Sequence, residues 1–318
     1  MSYRTVCFAL TALLFVSAPN QAGEQTVRLL TIGNSFADNA LTYLPEIVKA
    51  SGNTLVYAKA NLGGCTMKRH WDHVEKYEAN PSDKAGTPYA GGRFSLAQLL
   101  RQDAWDVITL QQVSWQSHDP STFDPYARNL CDYIRRHAPQ ATILLHQTWA
   151  YRVDDPRFTP ANEGKEPHTQ AIMYQQVRQA YHLMAGKLRT GILPSGDAMY
   201  IADTDPTWGY RPDRAFDFAK AQPPRLPDQT HSLHAGYRWK KQQDGSYTLV
   251  MDGHHAGKAG KYLLGCVWFE ALYGQKLTDD SFVPAGLDPA YASFLRQTAH
   301  RAVAERKAGK HSSQPVRK

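Results

Sequence analysis

Short apolar runs rich in β-branched residues alternate along this chain with longer stretches of helical spacing, and that alternation leaves few folds open. Val-Arg-Leu-Leu-Thr-Ile at 27–32 ends on Gly33-Asn34, and a second run at 54–60 ends on Asn61-Leu-Gly-Gly64. Further runs lie at 105–110, 141–145 and 191–194. The spacing predicts helices over 41–50, 126–137, 168–188, 258–273 and 289–307. Strands that alternate with helices pair in parallel, and both faces of the sheet are then covered. The expected fold class is α/β, a three-layer αβα sandwich around a parallel sheet of about five strands. A stretch at 204–229, rich in Pro, Asp and Arg, has no period and reads as a surface insertion. Residues 237–241 and 246–251, joined by Gln-Gln-Asp-Gly, read as a β-hairpin that delivers the chain to a turn at Asp252.

At 318 residues, 42% hydrophobic and 20% charged, the chain can bury a sizeable core without disulfides or metals. Its net charge of +7 invites a nucleic-acid reading, but location argues against it. The segment from Arg301 onward carries six basic residues against Glu305 alone, and Arg4 accounts for one more charge. The body between is left with +1, which is no surface for tracking phosphates.

Arg4 followed by an apolar run at 6–16 and small residues up to Ala22 has the layout of a signal peptide over 1–22. The run is shorter than the roughly 20 residues a membrane span needs. The mature protein is therefore expected in the periplasm or outside the cell, with no stable membrane insertion once the signal is cleaved. Residues 23–310 form the expected domain, with its insertion at about 204–251, and 311–318 a disordered basic tail. Cys65, Cys131 and Cys266 would remain after cleavage, either as one disulfide and a thiol or as three buried thiols.

Three segments carry candidate chemistry. In Thr31-Ile-Gly-Asn-Ser-Phe-Ala-Asp38 a strand runs into Gly33, and Ser35 sits where the chain turns toward a helix. In an open α/β sheet that point faces the crevice at the carboxyl ends of the strands. Ser35 would be a nucleophile there, or simply a helix cap. In Asp252-Gly-His-His-Ala-Gly257, Asp252 is placed to hold Nδ1–H of His255 and aim its Nε2 at a serine, as an activated hydroxyl requires. A metal reading competes through His254 and His255. Adjacent side chains diverge, however, and no zinc-type spacing supports it, so no metal or cofactor is expected. In Asn61-Leu-Gly-Gly-Cys-Thr66 a bare glycine backbone could donate N–H to a substrate oxygen, or the segment is an ordinary turn.

Gly33-Asn34-Ser35, the glycine block and Asp252-x-x-His255 together resemble the SGNH (GDSL-type) hydrolases. Within them the chain resembles an exported bacterial branch of unassigned function with Gly-Asn-Ser-Phe, Leu-Gly-Gly-Cys, Leu-Gln-Gln, Trp-Ala-Tyr and Asp-Gly-His-His-Ala-Gly segments. Here these are found at Gly33, Leu62, Leu110, Trp149 and Asp252, and the likeness spans about residues 27–273. The resemblance implies a flavodoxin-like sandwich, with a catalytic Ser35, His255 and Asp252. It also implies an oxyanion hole from the backbone N–H groups of Ser35 and of Gly63 or Gly64. The superfamily's third oxyanion donor is an Asn after the third strand. This chain reads Leu110-Gln-Gln-Val-Ser-Trp-Gln116 there, so Gln112 is the expected substitute. Trp149 and Tyr151, after the fourth strand, are candidate walls for a sugar ring.

The expectation from these residues is an exported serine esterase acting on an acylated carbohydrate or another small ester, with acetyl as the leading acyl group. A lipase or thioesterase-type acyl hydrolase is the alternative within catalysis. A carbohydrate-binding protein that keeps the fold without turnover is the alternative outside it.

Overall fold

In a computed structural model the chain is described over residues 23–158 and 167–308. The expected signal peptide at 1–22 and the basic tail at 311–318 lie outside those residues. Five parallel strands, β1 (Thr26–Gly33), β2 (Thr54–Asn61), β3 (Val107–Leu110), β4 (Thr142–His146) and β5 (Gly191–Leu193), form one sheet in the order β2-β1-β3-β4-β5. The sandwich expected from the sequence is the fold observed. Helices α1 (Ser35–Leu41) and α2 (Leu44–Ala50) follow β1, and α3 (Met67–Ala79), a short α4 (Tyr89–Gly92) and α5 (Leu96–Arg101) follow β2. Then come α6 (Tyr126–His137), α7 (Gln170–Leu188), α8 (Ser195–Asp203), α9 (Lys258–Tyr273) and α10 (Pro289–Lys307).

The period-2 alternation of each strand divides the core in two. On β1, Leu30 and Ile32 point to the face covered by α3, α5, α6 and α7, where Leu99, Ile134 and Met184 meet them. Val27 and Leu29 point to the opposite face, where α1, α2, α8, α9 and α10 supply Phe36, Val48, Met199, Val267 and Leu295. Ile108 and Leu110 on β3 and Ile143 and Leu145 on β4 keep to the first face. A strand buried on both sides must be apolar at nearly every position, which is why these runs stood out.

Two features depart from the sequence reading. The helix expected at 41–50 begins only at Leu44, separate from α1 over Ser35–Leu41, because Pro45 near the start of α2 cannot donate to a preceding turn. The hairpin is longer than expected: β6 (His234–Lys241) pairs antiparallel with β7 (Tyr247–Ala256), so Asp252 to His255 lie on a strand, not a turn. Of the two cysteine readings the structure shows the three buried, free thiols, and burial pushes those of Cys65 and Cys131 up to about 12. Among the described residues no helix is long and apolar enough to cross a membrane.

The chain entering β6 packs tightly on α9. A Cβ built on Gly260 would run into the backbone carbonyl of Leu233. Gly260→Ala should therefore cost about 1–3 kcal/mol, as overpacking does. Gly186 lies on the exposed face of α7 with open space around it. Gly186→Ala should stabilise by about 0.5–1 kcal/mol through helix propensity. Urea unfolding of the two variants beside the parent checks both signs.

Candidate active site

Ser35 is the first residue of α1, directly beyond the carboxyl end of β1. Asn34 is the N-cap, and its Oδ1 accepts from the Phe36 backbone N–H at 3.1 Å. The cap geometry fixes where Ser35 leaves the strand. The Ser35 hydroxyl lies 2.8 Å from Nε2 of His255. Nδ1 of His255 lies 3.0 Å from Oδ2 of Asp252, and the His255 backbone N–H donates to Oδ1 of the same carboxylate at 3.1 Å. Ser35 is thus the donor to an imidazole that holds its own proton on the Asp252 side. The hydroxyl and the ring are 220 positions apart in sequence.

The fold of β7 explains how one short segment aims several side chains at one place. Gly236 pairs with Asp252, and His234 with Ala256. Residues 253–255 therefore lie opposite Ala235 alone, a bulge of two extra residues. A bulge re-aims side chains that simple alternation would send to opposite faces. His254 and His255 consequently both reach Asp252, with their ring centroids 4.0 Å apart. Burial works against the Asp252 charge. The hydrogen bonds from the ring and backbone of His255, with the two histidines beside it, outweigh burial and hold the carboxyl well below the usual range. Asp252, His254 and His255 are also the one group among the described residues whose ligand atoms come within 4.8 Å of one another, but each Nδ1 already faces the carboxylate.

The glycine loop is tied to the same junction. Leu62 N–H donates to Gly33 O at 3.0 Å, and the Asn34 amide donates to Cys65 O at 3.0 Å. Gly63 and Gly64 between these two anchors are exposed, and Gly64 takes a φ of +57°, where glycine is favoured. Asn34 was not singled out from the sequence, yet it both caps α1 and holds this loop. The N-cap preference of Asn was the available signal.

Gln112 does not fill the oxyanion role expected of it. Its Oε1 accepts from the backbone of Met67 and Val113, and its amide donates to Thr122 O at 2.9 Å. Buried against the start of α3, it braces the loop. The neighbouring Gln111 faces the Ser35 side but donates to Asn34 Oδ1 at 2.9 Å. Trp149 and Tyr151 are likewise not open walls, since both are fully buried. Trp149 stacks on Phe36 with centroids 4.1 Å apart and donates to His254 O at 2.8 Å, so it supports the histidine strand from below. Tyr151 pairs with Ser114 and lies under the Arg157 guanidinium. The exposed ring at this edge is Trp115, 43% accessible. A Cβ built on Gly64 would sit 3.4 Å from its Cη2. Loop placement after β3 brings it there, and no spacing in the sequence predicts that.

Residues 28–206 match the family described as a domain of unknown function, DUF4886. The chain belongs to that family. The matched span holds Ser35 and the glycine loop but stops short of Asp252 and His255. A DUF4886 family protein from Bacteroides uniformis is 24% identical, with a TM-score of 0.66 over 88% of this chain and 95% of that one. That likeness extends the DUF4886 fold beyond residue 206. Weaker likenesses include a candidate SGNH hydrolase from Slackia heliotrinireducens, 16% identical with a TM-score of 0.44 over 76% of this chain and 95% of that one. A candidate GDSL-like lipase from Parabacteroides merdae is 13% identical, with a TM-score of 0.43 over 81% of this chain and all of that one. No curated protein matches the chain.

Two buried histidines frame this DUF4886 site. Nε2–H of His70 donates to Gly33 O at 3.0 Å, and Nδ1–H of His146 donates to Gln111 Oε1 at 3.0 Å. Burial pushes both down to about 3, so both are neutral in the folded protein at pH 7. In the unfolded chain a histidine takes up its proton near pH 6.5. The unfolded state then binds more protons below that value, so stability is full above about pH 6.5 and falls as the pH drops toward 3. Urea midpoints should decline between pH 7 and pH 4. His146→Gln, which keeps a donor but cannot take up a proton, should show a shallower decline.

Proposed function

We propose that the protein is an exported serine esterase that removes a small acyl group, acetyl foremost, from a carbohydrate. The observation that carries the chemical part is the continuous line from Ser35 Oγ through His255 to Asp252, at 2.8 and 3.0 Å. A serine hydroxyl attacks an ester only if a base takes its proton as the bond forms. Ser35 attacks the ester carbonyl, and His255 Nε2 takes the hydroxyl proton while Asp252 stabilises the imidazolium. The negative oxygen of the tetrahedral intermediate is met by backbone N–H groups. That of Ser35, at the first position of α1, has no intrahelical acceptor. Gly63 or Gly64 supplies the second from an exposed turn. His255 then returns its proton to the leaving alcohol. Water attacks the acyl-enzyme by the same route and frees Ser35. This assignment joins the chain to the SGNH hydrolases that its motifs resemble.

Trp115 is the support for a sugar as the alcohol part, because an indole face left open beside an oxyanion donor suits stacking on a pyranose ring. With Trp149 and Tyr151 buried, the carbohydrate reading rests on Trp115. Export rests on the N-terminal segment, and it favours an extracellular glycan as the substrate.

A fluorophosphonate probe should label Ser35 in the parent and nothing in Ser35→Ala. Ser35→Ala and His255→Ala should each lower kcat by about 10³-fold or more, and the double variant should be little worse than either. Additive losses would mean that the two do not share a step. Trp115→Ala should raise KM for an acetylated oligosaccharide by about tenfold, a loss of about 1.4 kcal/mol, and leave 4-nitrophenyl acetate turnover near the parent value.

A further inference from the structure

We propose that the substrate is an anionic glycan and that Arg238 reads its charge: the guanidinium takes a carboxylate or sulfate on a sugar beside the one that carries the ester. The inference rests on the esterase reading above and narrows its substrate class. The register of the ribbon sets Arg238 opposite Val250 and Lys240 opposite Thr248. Residues paired across antiparallel strands share a face, and successive residues take opposite faces. Tyr237 and Trp239 turn to the insertion at 204–229. There Tyr237 meets Phe218 with ring centroids 5.1 Å apart, and Trp239 Nε1–H donates to Arg225 O at 2.9 Å. Arg238 and Lys240 turn the other way and are exposed. Their face borders the triad, since Nη1 of Arg238 lies 3.8 Å from Oδ2 of Asp252. The same oxygen orients His255, whose Nε2 meets Ser35.

The guanidinium has donors to spare. A separation of 3.8 Å is beyond hydrogen-bond reach, and the Arg238 side chain makes no hydrogen bond to any other described residue. That side chain is 58% accessible. Asp252 does not depend on it, because the ring and the backbone N–H of His255 already occupy both carboxylate oxygens. An ion pair so exposed adds little to stability. The neighbouring arginines are committed elsewhere, Arg152 to Asp154, and Arg157 to Asp155 and the face of Tyr151. Lys240 stands about 6–7 Å further along β6 and makes no ion pair among the described residues. The body of the chain carries only +1, so two uncompensated cations beside the nucleophile are a local arrangement and not part of a basic surface. A guanidinium presents a planar set of N–H donors that matches the paired oxygens of an anion. A glycan with its ester at Ser35 that continues across this face meets Arg238 first and Lys240 next.

The test measures binding in the full chain carrying Ser35→Ala, so that no ester is consumed. Titration calorimetry compares an acetylated oligogalacturonate with the same oligomer whose carboxylates are masked as methyl esters. It also compares an acetylated, sulfated galacto-oligosaccharide with its unsulfated form. At least one charged oligomer should bind about tenfold more tightly than its uncharged counterpart, and which one does so names the anion. That advantage should shrink as salt rises from about 0.05 M to 0.5 M, because an exposed charge is screened. Adding Arg238→Gln should bring the ratio to within about twofold of one. Arg238→Lys keeps the charge without the planar donor set, and its ratio should fall between the two. Equal binding of charged and uncharged oligomers, binding of none of the four, or a preference that survives Arg238→Gln would each overturn the inference. Failure of the esterase reading shows elsewhere: the parent would escape the fluorophosphonate probe, while these binding ratios would be unaffected.

Discussion

The buried side chain of Asn34 holds together the parts of this molecule that matter for chemistry. Its oxygen accepts from the Phe36 backbone and from Gln111, and its amide donates to Cys65 O. A buried amide left unpaired costs about 1–3 kcal/mol, so all three bonds must form at once for the junction to be stable. Together they fix the exit angle of β1 into α1, the seat of the glycine loop and the end of β3. His146 extends the network to β4 through Gln111. Gly33 belongs to the same constraint, since a Cβ there would meet Gln111 Oε1 at 2.7 Å. Ser35 inherits its position from these contacts and makes none of them.

The other half of the site is built by a different device. β6 and β7 stand apart from the main sheet as a two-stranded ribbon, joined to it by a few specific bonds. Ala256 N–H donates to Asn39 Oδ1 on α1 at 2.8 Å, Arg152 N–H donates to Gly253 O at 2.7 Å, and Trp149 donates to His254 O. Arg152 is itself fully buried, paired with Asp154 and bonded to Gln229, which in turn donates to Tyr237 O. The loop after β4 is thus a clamp for the bulge that carries Asp252, His254 and His255. Trp149 and Tyr151 belong to that clamp.

Much of this was legible beforehand. The five strands and their parallel pairing follow from apolar runs that a sheet covered on both faces requires. Ser35, Asp252 and His255 were legible because a strand-to-helix turn and an Asp-x-x-His pair each restrict geometry locally. Gln112, Trp149 and Tyr151 were assigned by their distance past a strand end, and that distance does not say which way a loop residue points. β3 pairing ends at Leu110, and beyond it the buried hydrogen-bonding groups of Thr122, Met67 and Tyr181 decide the path. Trp115 escaped notice for the same reason.

By itself the sequence determined the layers, the parallel pairing of the sheet, and the residue types able to form a nucleophile, a base and its orienter. Those are consequences of hydrophobic period and side-chain chemistry, which act over a few residues. The tertiary structure decided that His254 also lies within 3.0 Å of Asp252, that Gln112 braces a loop, and which aromatic ring stays open. Each of these depends on a bulge, a clamp or a buried amide whose partners lie tens to hundreds of residues away, and local pattern carries no information at that range.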